Sequence, residues 1–330
     1  MSAASLAQIP LGRTGLSVSP LCFGTSGLGD MPYTYGYSVD VERALATVRA
    51  IFDGPVNFLD TSRIYGMGRS EERIGAVIRE RGGLPPGFVL STKLDRDPET
   101  GRFDGAQARR SLEQSLKILG LDRNPQQHVH DPEHAPDFAE TTGPKGALAE
   151  LIRIREEGLA TAVGLAAGRV DLMIPLIQDW DLDAIITHNR FTIVNRNAEA
   201  MMNLCAEKGV AVLNAAPYAG GVFAKGTAEF PRYVYQAAGS DALTPVKRVE
   251  EICARHNTPP GAVALQFSMR DKRVASTVCG VSKPERVAET IRWAEYPVPD
   301  ALWRELETLT PSYDDPEATR VYSPGYRGRP

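Results

Sequence analysis

The stretch Val56-Asn-Phe-Leu-Asp-Thr-Ser-Arg-Ile-Tyr-Gly66 carries a short buried-strand pattern (Val56, Phe58, Leu59) that ends in a carboxylate, Asp60. Tyr65 follows, then Gly66, Gly68 and the helix-opening run Arg69-Ser-Glu-Glu72. A carboxylate at a strand end and a phenol in the next loop can meet over one pocket. In isolation such an Asp is ordinarily a turn former or a helix N-cap. Two further strand patterns change that reading. Phe88-Val-Leu-Ser-Thr-Lys93 is an apolar run ending in a lysine, and Gln127-His-Val-His130 ends in a histidine followed by Asp131-Pro132. Three successive strands thus each end in an ionisable group. In a barrel of parallel strands all C-terminal strand ends share the face that carries the active site, so Asp60, Lys93, His130 and Tyr65 are expected to converge.

Outward from these strands, helical and extended patterns alternate. The spacing predicts helices over 39–52, 71–79, 106–119, 148–157, 170–178, 198–208, 246–256, 260–269 and 284–294. Between them it predicts strands over 21–25, 160–165, 184–187, 210–214 and 275–278, besides the three above. Strands separated by helices imply a parallel sheet in an α/β protein. Eight such units in 330 residues favour closure as a (β/α)8 TIM barrel. An open doubly wound sheet is the competitor, but no G-x-G-x-x-G opens any of these helices. Residues 7–20 read as a hairpin around Arg13-Thr-Gly15 that could plug the barrel bottom. Gly27 to Tyr37 has no periodicity and reads as a top-face loop, its three tyrosines either packing or walling a substrate site. Residues 311–330 are polar and Pro/Gly-rich, a C-terminal tail that either frays or folds over the pocket mouth. No internal boundary is apparent, so residues 1–330 are expected to form a single domain.

A net charge of −4 favours neither nucleic acid nor anionic membrane as a partner. No apolar run approaches the roughly 20 residues of a membrane span, and Met1 to Gly15 holds no signal-peptide core. Cys22, Cys205, Cys253 and Cys279 are scattered, without C-x-x-C spacing. They read as reduced thiols of a cytoplasmic protein, with neither a disulfide framework nor a metal site expected.

Asp60-Thr-Ser-Arg-Ile-Tyr-Gly66, Ser91-Thr-Lys93 and His130-Asp-Pro132 together resemble the aldo-keto reductases. Leu11 to Ser19 looks like that family's N-terminal hairpin, and Phe23-Gly-Thr25 like the end of its first barrel strand. The likeness runs from about Ile9 to about Leu309, nearest to the branch of aldose, L-fucose, L-galactose and pyridoxal dehydrogenases. It implies an NAD(P)-dependent oxidoreductase of CH–OH or aldehyde groups. Tyr65 would be its acid/base, Lys93 would favour the phenolate, Asp60 would hold Lys93, and His130 would bind the substrate oxygen. A free tyrosine titrates near 10, so it needs such help at neutral pH.

The resemblance also places a dinucleotide against Gly24, Thr25 and Asp60, and its nicotinamide against His188 or Asn189. It places the phosphate end along Gly280, Ser282, Lys283, Arg286, Glu289 and Thr290, where a loop meets a helix N-terminus suited to phosphate. NAD is the expected cofactor, with NADP as the alternative, because Gly280-Val281 stands where NADP-preferring relatives often have Lys-Ser. Lys283 and Arg286 argue the other way. Three departures from the family pattern stand out. Ala166-Ala167 replaces Ser-Asn. Ala215-Ala-Pro217 lacks the stacking tyrosine, leaving Tyr218 or Phe223 to supply a ring near Pro217. The strand before His130 is polar: Gln126 and His128 share its parity, so they require partners, and His128 rivals His130. His134 is expected to be solvated in a polar loop and His256 to be structural at a helix end.

The expected partner is a small sugar or aldehyde, oxidised or reduced by a monomer or small homo-oligomer. A pyridoxal or aromatic-alcohol dehydrogenase is the alternative. A nicotinamide-binding sensor or channel subunit, and an aldolase-like barrel using Lys93 as a Schiff base, are readings from other classes.

Overall fold

The structure, a computed structural model, describes residues 6–320. Ile9–Pro10 (β1) and Ser17–Val18 (β2) form the antiparallel hairpin. Eight parallel strands follow around a closed barrel. They are Leu21–Gly24 (β3), Phe58–Asp60 (β4), Val89–Leu94 (β5), Asn124–His130 (β6), Ala160–Ala166 (β7), Ala184–His188 (β8), Ala211–Ala215 (β9) and, after the small hairpin Arg232–Tyr233 (β10) and Gln236–Ala237 (β11), Val274–Gly280 (β12). The barrel closes where β12 pairs with both β9 and β3. This is a (β/α)8 TIM barrel.

The helices arise where the sequence spacing places them. Pro260–Met269 and Pro284–Ala294 begin at a proline, whose fixed φ suits a first helical turn and whose missing N–H costs nothing there. Asp40 and Asp104 cap Val41–Phe52 and Gly105–Leu119 through side-chain oxygens that accept from Arg43 N and Gln107 N. Helix Arg69–Arg81 starts two residues before the predicted Glu71 and runs two beyond Arg79. Helix Ser240–Arg255 starts six residues before the predicted Val246 and carries Pro245 in its first turns. Gly27–Tyr37 is not wholly irregular: it contains a 3-10 turn, Ser26–Gly29, and a short helix, Pro32–Tyr35.

The hairpin does plug the barrel floor. Leu11 and Val18 are fully buried in one cluster with the inward residues Cys22, Phe58, Val89, Ala184, Ala211 and Leu213. Asn57 fastens it: Oδ1 accepts from Ser19 N and Oγ at 2.8 Å, while Nδ2 donates to Ser17 O and Gly87 O. The floor is thus filled largely by apolar side chains. All four cysteines are buried and unpaired. Among the described residues no helix is long and apolar enough to cross a membrane, and no group of three or more His, Cys, Asp or Glu could hold a metal.

Candidate active site

Lys93 stands next to last in β5, points inward and is almost completely buried. Its Nζ donates to Asp60 Oδ1 at 2.6 Å and to Thr61 O at 2.5 Å. Ser91 Oγ, one inward position below, donates to Asp60 Oδ2 at 2.9 Å. Both oxygens of the carboxylate are therefore committed. Burying two charges is costly, and only close pairing with added hydrogen bonds offsets it. The strand register supplies that closeness, since Asp60 lies opposite Ser91 in the β4–β5 ladder.

Tyr65 reaches the same pocket from the loop after β4. Gly66 explains how its backbone fits. At φ +61° a side chain there would be strained, and a Cβ would lie 1.9 Å from Gly29 O. The loop thus packs directly on the 3-10 turn beneath it. The Tyr65 ring lies 5.0 Å from Lys93 Nζ and edge-on to His130, with ring centres 5.7 Å apart. Asp60, Tyr65, Lys93 and His130 therefore do converge. Burial, and then the Asp60 carboxylate, push the Tyr65 hydroxyl well above 10, while Lys93 Nζ is held by Asp60 and Thr61.

His130 rather than His128 faces Tyr65. His128 is fully buried two residues lower, its Nδ1 3.3 Å from Ser91 Oγ and its Nε2 3.4 Å from Gln126 Nε2. Burial, with Lys93 and His130 nearby, holds it neutral well below 6.5. The polar strand spans seven residues, and the partners that its buried amides require are only partly present: Gln126 Oε1 and both side-chain amide atoms of Gln127 are buried without a hydrogen bond. His130 is set by a residue that inspection of strand ends missed. Asp95 Oδ1 accepts from His130 Nδ1 at 2.6 Å, and Asp131 Oδ2 lies 3.6 Å from Nε2. Burial alone would depress this imidazole, but the Asp131 and Asp95 carboxylates outweigh it and raise its pKa. Asp95 carried a legible signal: it has the parity of Lys93, two residues on.

These groups open into a cavity of about 930 Å³ at the C-terminal ends of the strands, at the upper end of the usual range for small-molecule sites. Gly24, Thr25, Asp60, His188, Tyr218, Gly280, Ser282, Lys283 and Arg286 line it, as expected. Asn189, Pro217, Glu289 and Thr290 do not. Asn189 is fully buried, and its Nδ2 donates to Glu317 Oε1 at 2.8 Å. Glu289 pairs with Arg286 at 2.6 Å, and Thr290 Oγ1 donates to Arg286 O. Both thus stand behind the wall, in contact with its residue Arg286. Phe223 belongs to the apolar core, so of the two candidate rings only Tyr218 lies on the wall. Tyr35 and Tyr37 also line it, with Tyr235 edge-on to Tyr35 at 5.9 Å.

The tail closes one side of this mouth. Ser312 N donates to Val194 O at 2.9 Å, and Arg196 N donates to Ser312 O at 2.8 Å. Glu317 is buried, with Oε1 3.1 Å from His188 Nε2 and 3.3 Å from Arg190 Nη1. Residues 311–320 fold over the barrel, while 321–330 lie outside the described residues. No sequence pattern pointed to Glu317. A second, polar cavity of about 700 Å³ adjoins the first, sharing Asp131, His188 and Arg320. His134, expected in solvent, is half-buried on its wall. His256 is structural as expected, its Nε2 2.9 Å from Glu305 at the end of helix Ser240–Arg255.

The chain is similar to known proteins over most of its length. The aldo/keto reductase family model matches residues 20–310. The chain is 28% identical to a D-threo-aldose 1-dehydrogenase of a Pseudomonas species, over 88% of this chain and 94% of the relative. It is 27% identical to a pyridoxal 4-dehydrogenase of Microbacterium luteolum, over 90% and 96%. Among solved structures, the holo form of an aldo-keto reductase from Bacillus halodurans superimposes with a TM-score of 0.75 at 20% identity, covering 95% of this chain and 99% of that one. With the matched region spanning every barrel strand, the chain belongs to the aldo/keto reductase family, whose members are oxidoreductases of alcohol and aldehyde groups that use NAD(P)H.

Proposed function

We propose that this enzyme interconverts a small polar hydroxy-aldehyde, or its cyclic sugar form, and the oxidised product, with Tyr65 as the proton-transfer group. The supporting observation is the buried Lys93–Asp60 pair at 2.6 Å beneath a pocket-facing Tyr65. The relatives named as dehydrogenases of aldoses support the substrate class. When bound, a nicotinamide dinucleotide supplies hydride exchange with the substrate carbon. The residues present fit one: Ala166, Ala167, Ala215 and Ala216 leave a floor of small side chains for a planar ring. Ser282, Lys283 and Arg286 line the far end beside the N-terminus of helix Pro284–Ala294.

Tyr65 in its protonated form donates to a carbonyl oxygen during reduction. In oxidation the phenol must first lose its proton, which burial and Asp60 oppose; we assign to Lys93, 5.0 Å from the ring, the role of favouring the phenolate. Reduction therefore runs at neutral pH, and oxidation rises on the alkaline side. His130 stands beside Tyr65 to hydrogen-bond the same oxygen. NAD is the proposed cofactor, since Gly280-Val281 offers no side-chain ligand to a 2′-phosphate. A second reading, an aromatic alcohol or pyridoxal, draws on the Tyr35, Tyr37 and Tyr235 rings at the wall and on the named pyridoxal dehydrogenase. A small homo-oligomer or monomer of the cytoplasm, built as one domain, is the form in which we propose it acts.

The test is turnover of a panel of aldoses and aromatic aldehydes with each cofactor, for the wild type and Tyr65→Phe. Tyr65→Phe should fold, bind dinucleotide and lose about 10²–10⁴-fold in kcat. Near-full turnover in this variant would remove Tyr65 from its role. Nicotinamide binding without turnover of any panel member would instead support a sensor. Activity on aromatic alcohols alone would favour the second reading.

A further inference from the structure

We propose that Asp95 is a positioning residue whose one carboxylate fastens the loop carrying Tyr65 to the imidazole of His130, so that both groups facing the substrate oxygen are set by a single side chain. The inference rests on the roles given above to Tyr65 and His130. Asp95 Oδ2 accepts from Ser62 Oγ at 2.6 Å and from Ile64 N at 3.0 Å, both in the Tyr65 loop. Its Oδ1 accepts from His130 Nδ1 at 2.6 Å. Ser62 Oγ is itself 3.1 Å from His130 Nδ1. Asp95 is 2% exposed, and its backbone is pinned from below: Asp95 N donates to Ser111 Oγ at 2.9 Å, and Gln107 Nε2 donates to Asp95 O at 3.1 Å. The carboxylate thus has a fixed base, and the Tyr65 loop and the His130 ring both hang from it.

The chemistry of this contact has two consequences. With Nδ1–H donating to Asp95, the imidazole presents Nε2 upward as the atom that meets substrate. The charged form of the ring is also favoured. Lys93 faces it from β5, Asp95 from the residue just after that strand, His128 from β6, Asp131 and His134 from the following turn, and Tyr65 by its ring edge. The two carboxylates outweigh burial and the nearby lysine, so His130 stays protonated above its ordinary range. Asp95 stays ionised: burial would raise it, but His130 and the hydrogen bonds from Ser62 and Ile64 hold it below the usual carboxylate range. A charged His130 polarises a substrate oxygen more strongly than a neutral one does.

The experiment uses the full chain, with L-galactose plus NAD and benzaldehyde plus NADH as probes, and nitrogen NMR of the His130 ring. Asp95→Asn should lower kcat on the order of 10²-fold through misplacement of both groups, with KM for dinucleotide unchanged. It should also move the His130 titration acidward by about 1–3 pH units. Asp95→Glu, which keeps the charge, should restore the titration more fully than the turnover. Ser62→Ala removes one of the two loop bonds and the 3.1 Å contact with the ring but leaves Asp95 Oδ1 on Nδ1, so kcat should fall while the His130 titration moves much less than in Asp95→Asn. Asp95→Asn with native kcat and native His130 titration would overturn the proposal. If Asp95→Asn does not fold, the wild-type ring decides, because a His130 titrating at or below about 6.5 contradicts the clamp. If neither probe turns over, the titrations of wild type and Ser62→Ala stand as the test. Full activity in Tyr65→Phe would break the reading of the site itself, whereas an inactive Tyr65→Phe beside a fully active Asp95→Asn would break only the positioning role.

Discussion

The two halves of the barrel mouth are built differently. On one side, Asp60 and His130 end β4 and β6 and Lys93 stands next to last in β5, and each side chain finds its partner on a neighbouring strand or the loop just above. On the other side, β7, β8 and β9 end in Ala166, His188 and Ala215, and the polar partner arrives from far along the chain. Glu317 reaches Asn189 across 128 residues of sequence. The first half is rigid because ladder register fixes the geometry of its charges. The second half is small-walled and depends on a docked segment.

The comparison breaks first at Lys93. Lys93→Met leaves the Asp60 carboxylate buried without its cation, which costs about 3–5 kcal/mol. It should also match Tyr65→Phe in lost turnover and raise the pH at which oxidation begins. Chemical denaturation and a pH–rate profile check both, and unchanged stability would mean that the pair is not the anchor of this half.

The other half should yield differently. Glu317→Gln removes charge-assisted hydrogen bonds worth about 1.5–3 kcal/mol, and we expect looser residues 312–320 by hydrogen exchange. KM should rise on the order of tenfold, equivalent to about 1.4 kcal/mol, with kcat changing less. In the wild type, burial alone would raise the Glu317 carboxyl, but His188, Arg190 and Arg320 hold it well below the usual range. Its stabilisation is therefore present above the ordinary carboxylate pKa and lost as pH falls below it. Acid should release the tail in wild type and have little further effect in Glu317→Gln.

The smallest expected effect lies behind the rigid half. Glu71 is fully buried, accepting from Thr92 Oγ1 at 2.6 Å and Ser115 Oγ at 3.1 Å. Burial raises it from 4.5 to about 7 despite those bonds. The folded state therefore binds a proton that the unfolded state has already released, and stability falls as pH rises from about 4.5 to about 7. Glu71→Gln should abolish this slope. It should gain on the order of 1–3 kcal/mol relative to wild type at pH 8 compared with pH 4. Parallel melting curves would show this, and identical pH slopes would contradict it.

Much of the first half was legible in the chain itself. Hydrophobic periodicity located the barrel strands and their helices within a few residues, because buried strands and amphipathic helices must keep their period to bury an apolar face. Asp60, Lys93 and His130 could be read as convergent because parallel strands end on one face. Parity even fixed the inward set of β6, including the buried Gln126 and His128. The tertiary structure alone decided which groups bind which. It paired Asp95 with His130 and with the Tyr65 loop, brought Glu317 to His188, sent Phe223 into the core, and buried the Tyr65 phenol beside Asp60 so that its pKa rises above 10. The physical reason is range. Periodicity is a local property of a few residues, whereas hydrogen bonds, burial and pKa depend on distances of a few ångströms between residues tens to hundreds apart in sequence.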